Sequence, residues 1–408
     1  MQRARLAIAA LALVLAGCAA APSITGAGGE ASRISGQAIA GEHIIRLKAG
    51  VSPSAYARKH GLQLVQALGL GMHLFRGERA LSILEADPEV VFAEPNRTIQ
   101  LPALKAQPAP NPSTRAASPN DPLFPAQYAP VITGAEKVWP KQKGSAEVIV
   151  AVIDSGIDGT HPEFEGRLLP GYDFSEKQAV AGGDRDGYGH GTHVAGVIGA
   201  RQDNGVGVTG IAPGCKLLPV RIFNNSGHTT DGASTAAIIW AVDHGAKVIN
   251  ASWGSPSDSE AGRAAIKYAQ DKDVVVVAAV GNTGKEWDPS YPAAWPGVVA
   301  VAASNDQDGW ASFSTWGDWI TLAGPGDAIL STYPLSKGNG YRIMSGTSMA
   351  APAVSAVAAL VRSQHPQLSQ AQVIERLYAT ARDTVMTGKD KYVGHGRVDA
   401  LRAVLDPL

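Results

Sequence analysis

The sequence predicts an α/β protein with a mostly parallel sheet, preceded by a small α+β domain. After residue 147, five runs of β-branched and small apolar residues alternate with helical stretches. Continuous apolar strands of this kind are typical of a parallel sheet that helices cover on both faces, which gives three layers. A separate pattern of strands and helices fills residues 43–96. A chain of 408 residues is long enough for two or three domains.

The first 17 residues have the pattern of a signal peptide. Arg3 and Arg5 make the start basic, and residues 6–16 are all apolar. This apolar stretch is too short to span a bilayer as a mature helix. Residues 15–18 resemble the processing box of bacterial lipoproteins, which implies cleavage before Cys18 and a lipid on its thiol. An ordinary signal peptide followed by a chance cysteine is the alternative.

Composition narrows the expected ligands and location. The chain has two cysteines, so a lipid on Cys18 would leave Cys215 without a partner and the fold without a disulfide. The net charge is −1, with no long run of either sign, so a nucleic-acid ligand is not expected. We expect an exported monomer whose precursor is held at the membrane, in the periplasm or at the cell surface.

Residues 41–101 are expected to form the small domain, after a flexible tether at 18–40 that is rich in Ala, Gly and Ser. Strands are predicted at 43–48, 62–68, 71–76 and 90–96, with helices at 52–60 and 80–86. Ser52 followed by Pro53 is a helix-start signal. The order strand-helix-strand-strand-helix-strand predicts a ferredoxin-like domain.

A proline-rich segment, residues 102–119, separates this domain from the rest of the chain. It has few apolar anchors, so we expect an extended, exposed linker. Segments of this kind are the ones that proteases cut.

Residues 120–408 are expected to form the parallel sheet and its helices. Strands are predicted at 148–153, 216–222, 246–251, 274–279 and 298–302. Helices are predicted at 193–200, 232–244 and 260–272. A long Ala- and Val-rich helix after Ser348 is expected to be buried, and a further helix is predicted at 370–380.

Three short segments in this domain carry an acid, a base and a nucleophile, in the order Asp, His, Ser. Asp154 lies where a predicted strand ends, the position at which parallel α/β proteins build their sites. His190 lies between two glycines, which allow a substrate backbone to approach closely. Ser348 begins the Ala-rich helix, where the free amides favour developing negative charge. A serine hydroxyl needs such a base to become a nucleophile.

Each segment alone also has a simpler interpretation. Ser348 could be a plain helix cap, and Asp158 could replace Asp154 as the acid. His190 and His193 could be a metal pair, although no glutamate lies between them. The three segments together favour the catalytic interpretation.

The segments Val152 to Asp158, Gly189 to Gly196 and Ser345 to Pro352 resemble the subtilisin-like serine proteases, the subtilases. Residues 120–408 carry the resemblance, and the start of this region is most similar to the thermitase-like branch. It implies a subtilisin-like three-layer fold and a serine endopeptidase that acts through an acyl-enzyme. It also implies that the small domain is an inhibitory prodomain and that the chain is a self-processing zymogen. One departure is Ala353, where subtilases usually have histidine.

The resemblance also implies the residues that meet the substrate. Asn282 corresponds to the side-chain donor of the oxyanion hole, with the Ser348 amide as the second donor. Ser252, Trp253 and Gly254 resemble the edge segment that pairs with an extended peptide. Gly281 and Ser290 are expected to frame the primary specificity pocket. The expected partners are protein or peptide substrates and the chain's own prodomain.

A structural calcium site is the one cofactor that the resemblance implies. The expected side-chain ligands are Asp121, Asp173 and Asn204, with carbonyl groups from Arg201, Val206 and Val208. Such hard oxygen donors suit calcium. A surface turn beside two solvated acids is the alternative. Asp184 and Asp186 form a weaker candidate for a second site.

Two rival functions remain open at this level. A catalytically inactive subtilase-fold lipoprotein could bind peptides without cutting them. A structural surface lipoprotein could carry the motifs by chance. The presence of all three triad residues and Asn282 favours the enzyme.

Overall fold

The structure is a computed structural model that describes residues 36–112, 119–180, 185–286 and 289–408. Cys18, Asp184, the predicted signal peptide and most of the predicted tether lie outside the described residues. The strands are β1 (Ala38–Leu47), β2 (Gln63–Gly69), β3 (Met72–Arg76), β4 (Val90–Gln100), β5 (Gln107–Pro108), β6 (Ile149–Asp154), β7 (Gly171–Asp173), β8 (Gln178–Val180), β9 (Lys216–Arg221), β10 (His228–Thr230), β11 (Val248–Ala251), β12 (Val275–Ala279), β13 (Val299–Ser304), β14 (Leu322–Pro325), β15 (Ile329–Thr332) and β16 (Tyr341–Met344). The helices are α1 (Pro53–His60), α2 (Leu81–Glu85), α3 (Ala129–Ile132), α4 (Ala135–Val138), α5 (His190–Gly199), α6 (Asp231–Asp243), α7 (Glu260–Asp271), α8 (Thr347–Gln364), α9 (Gln370–Ala379) and α10 (Ala400–Leu405).

The N-terminal domain has the predicted strand and helix order, and its strands lie in the order β4-β1-β3-β2. All of these pairings are antiparallel, which confirms the ferredoxin-like prediction. Helix α1 begins where the sequence signal places it, because the Ser52 hydroxyl accepts a hydrogen bond from the Ala55 amide. It ends at Gly61, whose left-handed backbone (φ 66°) turns the chain into β2.

The large sheet has eight strands in the order β14-β13-β12-β11-β6-β9-β7-β8. Seven of them run parallel, and β8 pairs antiparallel with β7 at one edge. Both faces are covered by hydrophobic clusters, which explains why its strands are continuous apolar runs. The predicted subtilisin-like three-layer α/β fold is therefore confirmed.

Helix α8 passes through the interior of this domain. Its residues from Thr347 to Arg362 are all buried, and it packs on β11, β12, β13 and β14. Gly324 lets the helix approach β14, because an added Cβ there would lie 2.6 Å from the Ala350 carbonyl oxygen. Ala353 is fully buried in this helix, within the same hydrophobic cluster.

The N-terminal domain joins the larger domain through a shared sheet. Strand β4 continues past its own domain and pairs antiparallel with β10, with Ile99 opposite Thr229. The next residue after β4, Leu101, donates its amide to the Gly227 carbonyl (2.9 Å) and is itself buried. Strand β2 also packs against α6.

The predicted linker is not uniformly unstructured. Residues Gln107–Pro108 form β5, which pairs antiparallel with β16. Residues 113–118 lie outside the described part of the chain. Within the described residues, no helix combines the length and the apolar character needed to cross a bilayer.

Candidate active site

Three elements bring an acid, an imidazole and a serine to one edge of the large sheet. Asp154 is the last residue of β6, His190 is the first residue of α5, and Ser348 is the second residue of α8. The His190 Nδ1 atom lies 2.8 Å from Asp154 Oδ1. Asp154 is fully buried and His190 is almost so, which protects the pair from water.

The Asp154 carboxylate fixes the protonation of His190. Asp154 Oδ1 also accepts the Ser155 amide at 2.7 Å, so the carboxylate is held in place by its own backbone. Because Nδ1 faces a carboxylate, it carries a proton, and Nε2 is the nitrogen that can act as a base. Burial lowers the pKa of His190, but the charge and hydrogen bond of Asp154 outweigh burial and raise it above its ordinary value.

Ser348 and Ser252 are joined by two reciprocal hydrogen bonds. The Ser348 hydroxyl donates to the Ser252 carbonyl (2.9 Å), and the Ser252 hydroxyl donates to the Ser348 carbonyl (2.8 Å). The second bond has a cause in the helix, since Pro352 has no N–H to give to the carbonyl four residues before it. A hydroxyl has a single hydrogen, so the Ser348 side chain must rotate before it can donate to His190.

Asn282 is anchored beside the serine by its own amide oxygen. Asn282 Oδ1 accepts hydrogen bonds from the Thr347 backbone amide (2.8 Å) and from the Thr347 hydroxyl (3.0 Å). Both donors lie one residue before Ser348, so Nδ2 is the end of the amide that remains as a donor near the helix start. Asn282 thus lies beside the start of the helix that carries Ser348.

The predicted substrate-binding residues lie around the same edge. Gly254 packs against Ser290, since an added Cβ on Gly254 would lie 1.9 Å from the Ser290 hydroxyl. Gly281 donates its amide to the Thr347 hydroxyl at 3.1 Å. Trp253 is buried, and its indole N–H donates to the Ile153 carbonyl at 2.8 Å. Ser252, described above, completes this group of five residues.

Asp186 has a supporting position that the sequence did not reveal. It is buried, and its Oδ1 accepts from the Ser155 hydroxyl (2.9 Å) and the Gly189 amide (2.7 Å). Its Oδ2 accepts from the Thr192 amide (2.8 Å) and hydroxyl (2.7 Å). Asp186 therefore ties the end of β6 to the start of α5 and holds the Asp154 and His190 backbones together. Asp186 therefore has a structural role, and Asp184, the other residue of the weaker metal-site prediction, lies outside the described residues.

The alternative interpretations of nearby residues do not fit the geometry. Both Asp158 carboxylate oxygens accept hydrogen bonds from Thr160 and Leu335, away from His190. His193 Nε2 lies 3.1 Å from the carbonyl oxygens of Ile329 and Arg342, so it must carry a hydrogen. Burial lowers the pKa of His193 to about 3. His193 is thus a neutral structural residue rather than a metal ligand.

A second cluster of buried oxygen atoms lies around residue 204. Asp121 accepts the amides of Asp203 (3.0 Å) and Asn204 (3.3 Å), and Asn204 Nδ2 donates to Glu163 Oε2 (2.8 Å). Glu163 Oε1 accepts the Val208 amide at 2.7 Å. Burial raises the pKa of both acids, that of Glu163 to about 7, and the charge of Asp121 adds to the effect on Glu163. Two buried carboxylates side by side fit a hard divalent cation.

The prediction that Asp173 belongs to this cluster is wrong. Asp173 Oδ2 accepts from the Arg221 guanidinium at 2.9 Å, and its Oδ1 accepts from the Ser175 hydroxyl at 2.6 Å. The buried ion pair with Arg221 already balances its charge. Glu163 takes the place expected for Asp173. No local sequence pattern marked Glu163, because only the fold brings it to the loop that also contacts Asp121.

Comparisons with known proteins agree on the class of protein that this fold and site define, a serine endopeptidase. The chain is 39% identical over 288 residues to thermitase of Thermoactinomyces vulgaris, which covers 70% of this chain and 99% of that protein. It is 37% identical over 329 residues to the thermophilic serine proteinase of Bacillus sp. strain AK1, covering 80% and 76% of the two chains.

The Subtilase family profile, peptidase S8, matches residues 145–396, and the chain belongs to this family. Among solved structures, fervidolysin from Fervidobacterium pennivorans, described as a keratinolytic enzyme related to subtilisin, has a TM-score of 0.79 at 28% identity. The match covers 91% of this chain and 62% of the fervidolysin chain, so this chain spans less than two thirds of that protein.

Replacing Asn282 by alanine should lower the kcat for a chromogenic peptide by about 10²–10³, because an oxyanion donor is lost. Asn282→Asp is the matched control for the structural role. It keeps the oxygen that accepts from Thr347 but removes the Nδ2 donor, so it should lose activity with little change in melting temperature. Full activity in Asn282→Asp would show that Asn282 only anchors the helix.

Proposed function

We propose that the chain is an exported serine endopeptidase, made as a self-processing precursor, in which Asp154, His190 and Ser348 act as a triad. The single observation that carries this proposal is the buried Asp154–His190 pair at the sheet edge where Ser348 begins a helix. The family membership supports the reaction class.

In the proposed reaction, the Ser348 oxygen attacks the carbonyl carbon of a peptide bond while His190 Nε2 takes the hydroxyl proton. The negative charge that forms on the substrate oxygen is met by Asn282 Nδ2 and the Ser348 amide. His190 then gives its proton to the leaving amine, and an ester remains on Ser348. Water, deprotonated by His190, hydrolyses this ester and restores the free serine.

The proposed function is tested by covalent labelling of processed protein with a fluorophosphonate probe. We expect one labelled serine, loss of labelling in Ser348→Ala, and no effect of Ser345→Ala, a nearby serine whose hydroxyl donates to Asp327 at 2.7 Å. Folded protein that neither labels nor cleaves peptides would favour the alternative, an inactive peptide-binding lipoprotein.

The contacts of the N-terminal domain support a role as an inhibitor. Glu94 accepts hydrogen bonds from Ser259 (2.7 Å) and from the amides of Glu260 (2.9 Å) and Ala261 (3.1 Å), so it caps α7. Asn96 Oδ1 likewise accepts the Gly232 amide at 3.0 Å, in the first turn of α6. A negative or polar group at a helix start is stabilising.

The end of β4, after these caps, lies along β10, the strand to which we propose that an extended substrate would add. Strand β4 pairs with β10, and the Pro102 carbonyl accepts a hydrogen bond from the Tyr188 hydroxyl (2.6 Å), two residues before His190. A substrate that adds a strand to β10 would have to displace β4. We infer that the linker after Leu101 is cut by the protease itself.

Self-processing predicts that Ser348→Ala, expressed alone, accumulates as a full-length precursor. If Cys18 carries a lipid, the cut also separates the catalytic domain from the membrane, because the anchor is attached only to the N-terminal part. Cell fractionation should then find the mutant precursor with the membranes and the mature wild-type domain in the soluble fraction. Normal processing of Ser348→Ala would assign the cut to another protease, and mature domain retained on salt-washed membranes would contradict release.

A structural calcium ion is proposed at Asp121, Glu163 and Asn204, with carbonyl oxygens of Arg201, Val206 and Val208 as further ligands. Bound only by the folded state, calcium at a hundredfold excess over its Kd should raise the melting temperature by about 5–10 °C. Glu163→Gln should remove most of this shift. Asp173→Asn, which breaks the ion pair to Arg221 elsewhere, should keep it. Equal melting temperatures with calcium and with chelator would remove the site.

Release of the N-terminal domain should depend on pH through Asp231. Asp231 is buried under β4, and burial, then the charge of Glu94, raise its pKa to about 7, while Arg97 opposes the rise. Once β4 leaves, the pKa should return toward the ordinary value of about 3.9. The bound state therefore holds the extra proton, and binding weakens as pH rises between these values and levels off above pH 7.

Release is measured by diluting processed complex at each pH and assaying aliquots for peptidase activity at one fixed pH, because protonation of His190 changes the activity itself. We expect at least tenfold faster release at pH 7 than at pH 5, and a flat profile across this range in Asp231→Asn. A parent profile equally flat across this range would remove Asp231 from the control of release.

A further inference from the structure

Three ligand-type side chains meet on the N-terminal domain, far in sequence from the catalytic residues. His60 is the last residue of α1, and Asp87 and Glu89 lie in the turn that leads into β4. One ligand atom from each residue lies within 4.8 Å of the other two. The His60 Nε2 atom is 3.1 Å from Asp87 Oδ2. The calcium cluster and the proposed triad share none of these residues.

The imidazole of His60 is buried without a hydrogen bond to the rest of the described chain. Its side chain is 8% exposed and that of Asp87 is 9% exposed. Neither ring nitrogen makes a hydrogen bond of acceptable geometry within the described residues, in spite of the short distance to Asp87. Tyr56 stacks on the ring at 4.2 Å between centroids, so the ring is held in this orientation. A buried imidazole whose two nitrogens both lack a hydrogen bond is open to a water molecule or an ion, and here two carboxylates lie beside it.

The surroundings of His60 are negative. The Asp87 Oδ1 atom accepts the Glu89 amide at 2.8 Å, which leaves Oδ2 toward the histidine. Burial, followed by the charges of Asp87 and Glu89, raises the pKa of Tyr56 to about 12, although the charge of Arg79 opposes the rise. Lys59 pairs with Glu89, but its side chain is 55% exposed, so solvent weakens this pair and the lysine can move away.

One imidazole nitrogen and two carboxylate oxygens form a donor set that suits zinc. Zinc binds nitrogen and carboxylate oxygen at about 2.0–2.2 Å, so ligand atoms around one ion lie within about 4 Å of each other. Small side-chain rotations that move the ligand atoms of His60, Asp87 and Glu89 by about 1 Å are enough to reach that spacing. Calcium is a poorer fit, because it prefers six or more oxygen ligands.

We propose that His60, Asp87 and Glu89 bind a divalent zinc ion, with water completing the coordination. The site lies on the side of the N-terminal sheet covered by α1 and α2, where Tyr56, Leu84 and Val90 belong to the domain's own core. The opposite side of the sheet, with Ile44 and Leu74, packs on the catalytic domain. Zinc therefore ties α1 to the turn before β4 without entering the substrate cleft.

This position gives zinc a definite effect. An ion that binds only the folded N-terminal domain stabilises that domain by mass action. Strand β4 begins at Val90, directly after Glu89, and the same strand supplies the caps Glu94 and Asn96. Zinc should consequently strengthen the hold of the N-terminal domain on the catalytic domain, whereas a chelator should weaken it.

The test uses the full chain with Ser348→Ala and no polyhistidine tag, stripped with chelator and returned to calcium buffer. Titration with zinc chloride should show one site in the calorimeter, and cobalt should give the visible absorption of a nitrogen-bound ion. His60→Ala and Asp87→Asn should each weaken zinc binding at least tenfold. Lys59→Ala should bind zinc as tightly as the parent or more so, because the competitor for Glu89 is gone.

Two controls separate the site from general metal binding. His73→Ala removes another histidine of the same domain, one that faces the Gly71 carbonyl, and should leave zinc binding unchanged. Glu163→Gln disturbs the proposed calcium cluster and should also keep zinc. Circular dichroism of each variant reports whether the fold survives. No zinc binding below about 100 μM, a free energy of about −5.5 kcal/mol, would overturn the proposal. Unchanged binding in a folded His60→Ala or Asp87→Asn variant would overturn it too.

Discussion

The packing of α8 against the large sheet is the constraint on which the proposed site depends. This helix runs through the core, and Gly324 allows its backbone to lie close to β14. A line of buried polar groups then fixes its position along β11. Ser355 donates to Asn250 (2.9 Å), Asn250 donates to Ser252 (3.0 Å), and Ser252 donates to the carbonyl of Ser348 (2.8 Å). A shift of the helix would break the two bonds that join it to this strand, from Ser355 to Asn250 and from Ser252 to Ser348.

Buried carboxylates are treated differently in different parts of the chain. Asp154 faces an imidazole, and Asp173 faces a guanidinium. Asp186 accepts hydrogen bonds from five donors, although burial raises its pKa as well. Asp121 and Glu163 lack a cationic side chain among the contacts described above, and their pKa values are raised. The different surroundings explain why a cation is proposed at the Asp121 cluster and a general base, His190, beside Asp154.

The N-terminal domain is bound to the catalytic domain by the same kinds of interaction that hold each domain together. It contributes a strand to β10, caps two helices, and buries apolar residues of its sheet against α6. This interface supplies hydrogen-bond acceptors to backbone amides at the starts of two helices. It is expected to stabilise both domains, because these amides otherwise bind only water. Asp231 is the exception, since one of its carboxylate oxygens is buried without a partner in the described structure.

Much of the fold and the central site followed from local sequence. Apolar strands alternating with helices predicted the parallel sheet, and the motifs around Asp154, His190 and Ser348 placed each side chain at the end of an element. These features depend on residues close together in the chain, so hydrophobic periodicity and helix-start residues are enough to recognise them. The same applies to α1, whose cap and first proline are adjacent.

Only the tertiary structure decided which distant side chains meet. In the structure Glu163, rather than Asp173, belongs to the cluster around Asp121, because Asp173 pairs with Arg221 on the neighbouring strand. The fold also gave Asp186 its place between β6 and α5, and it brought His60 against Asp87. Such contacts depend on strand order and helix packing across many residues. A sequence states which side chains can ionise, but the fold sets the neighbours, and thereby the charge, of each one.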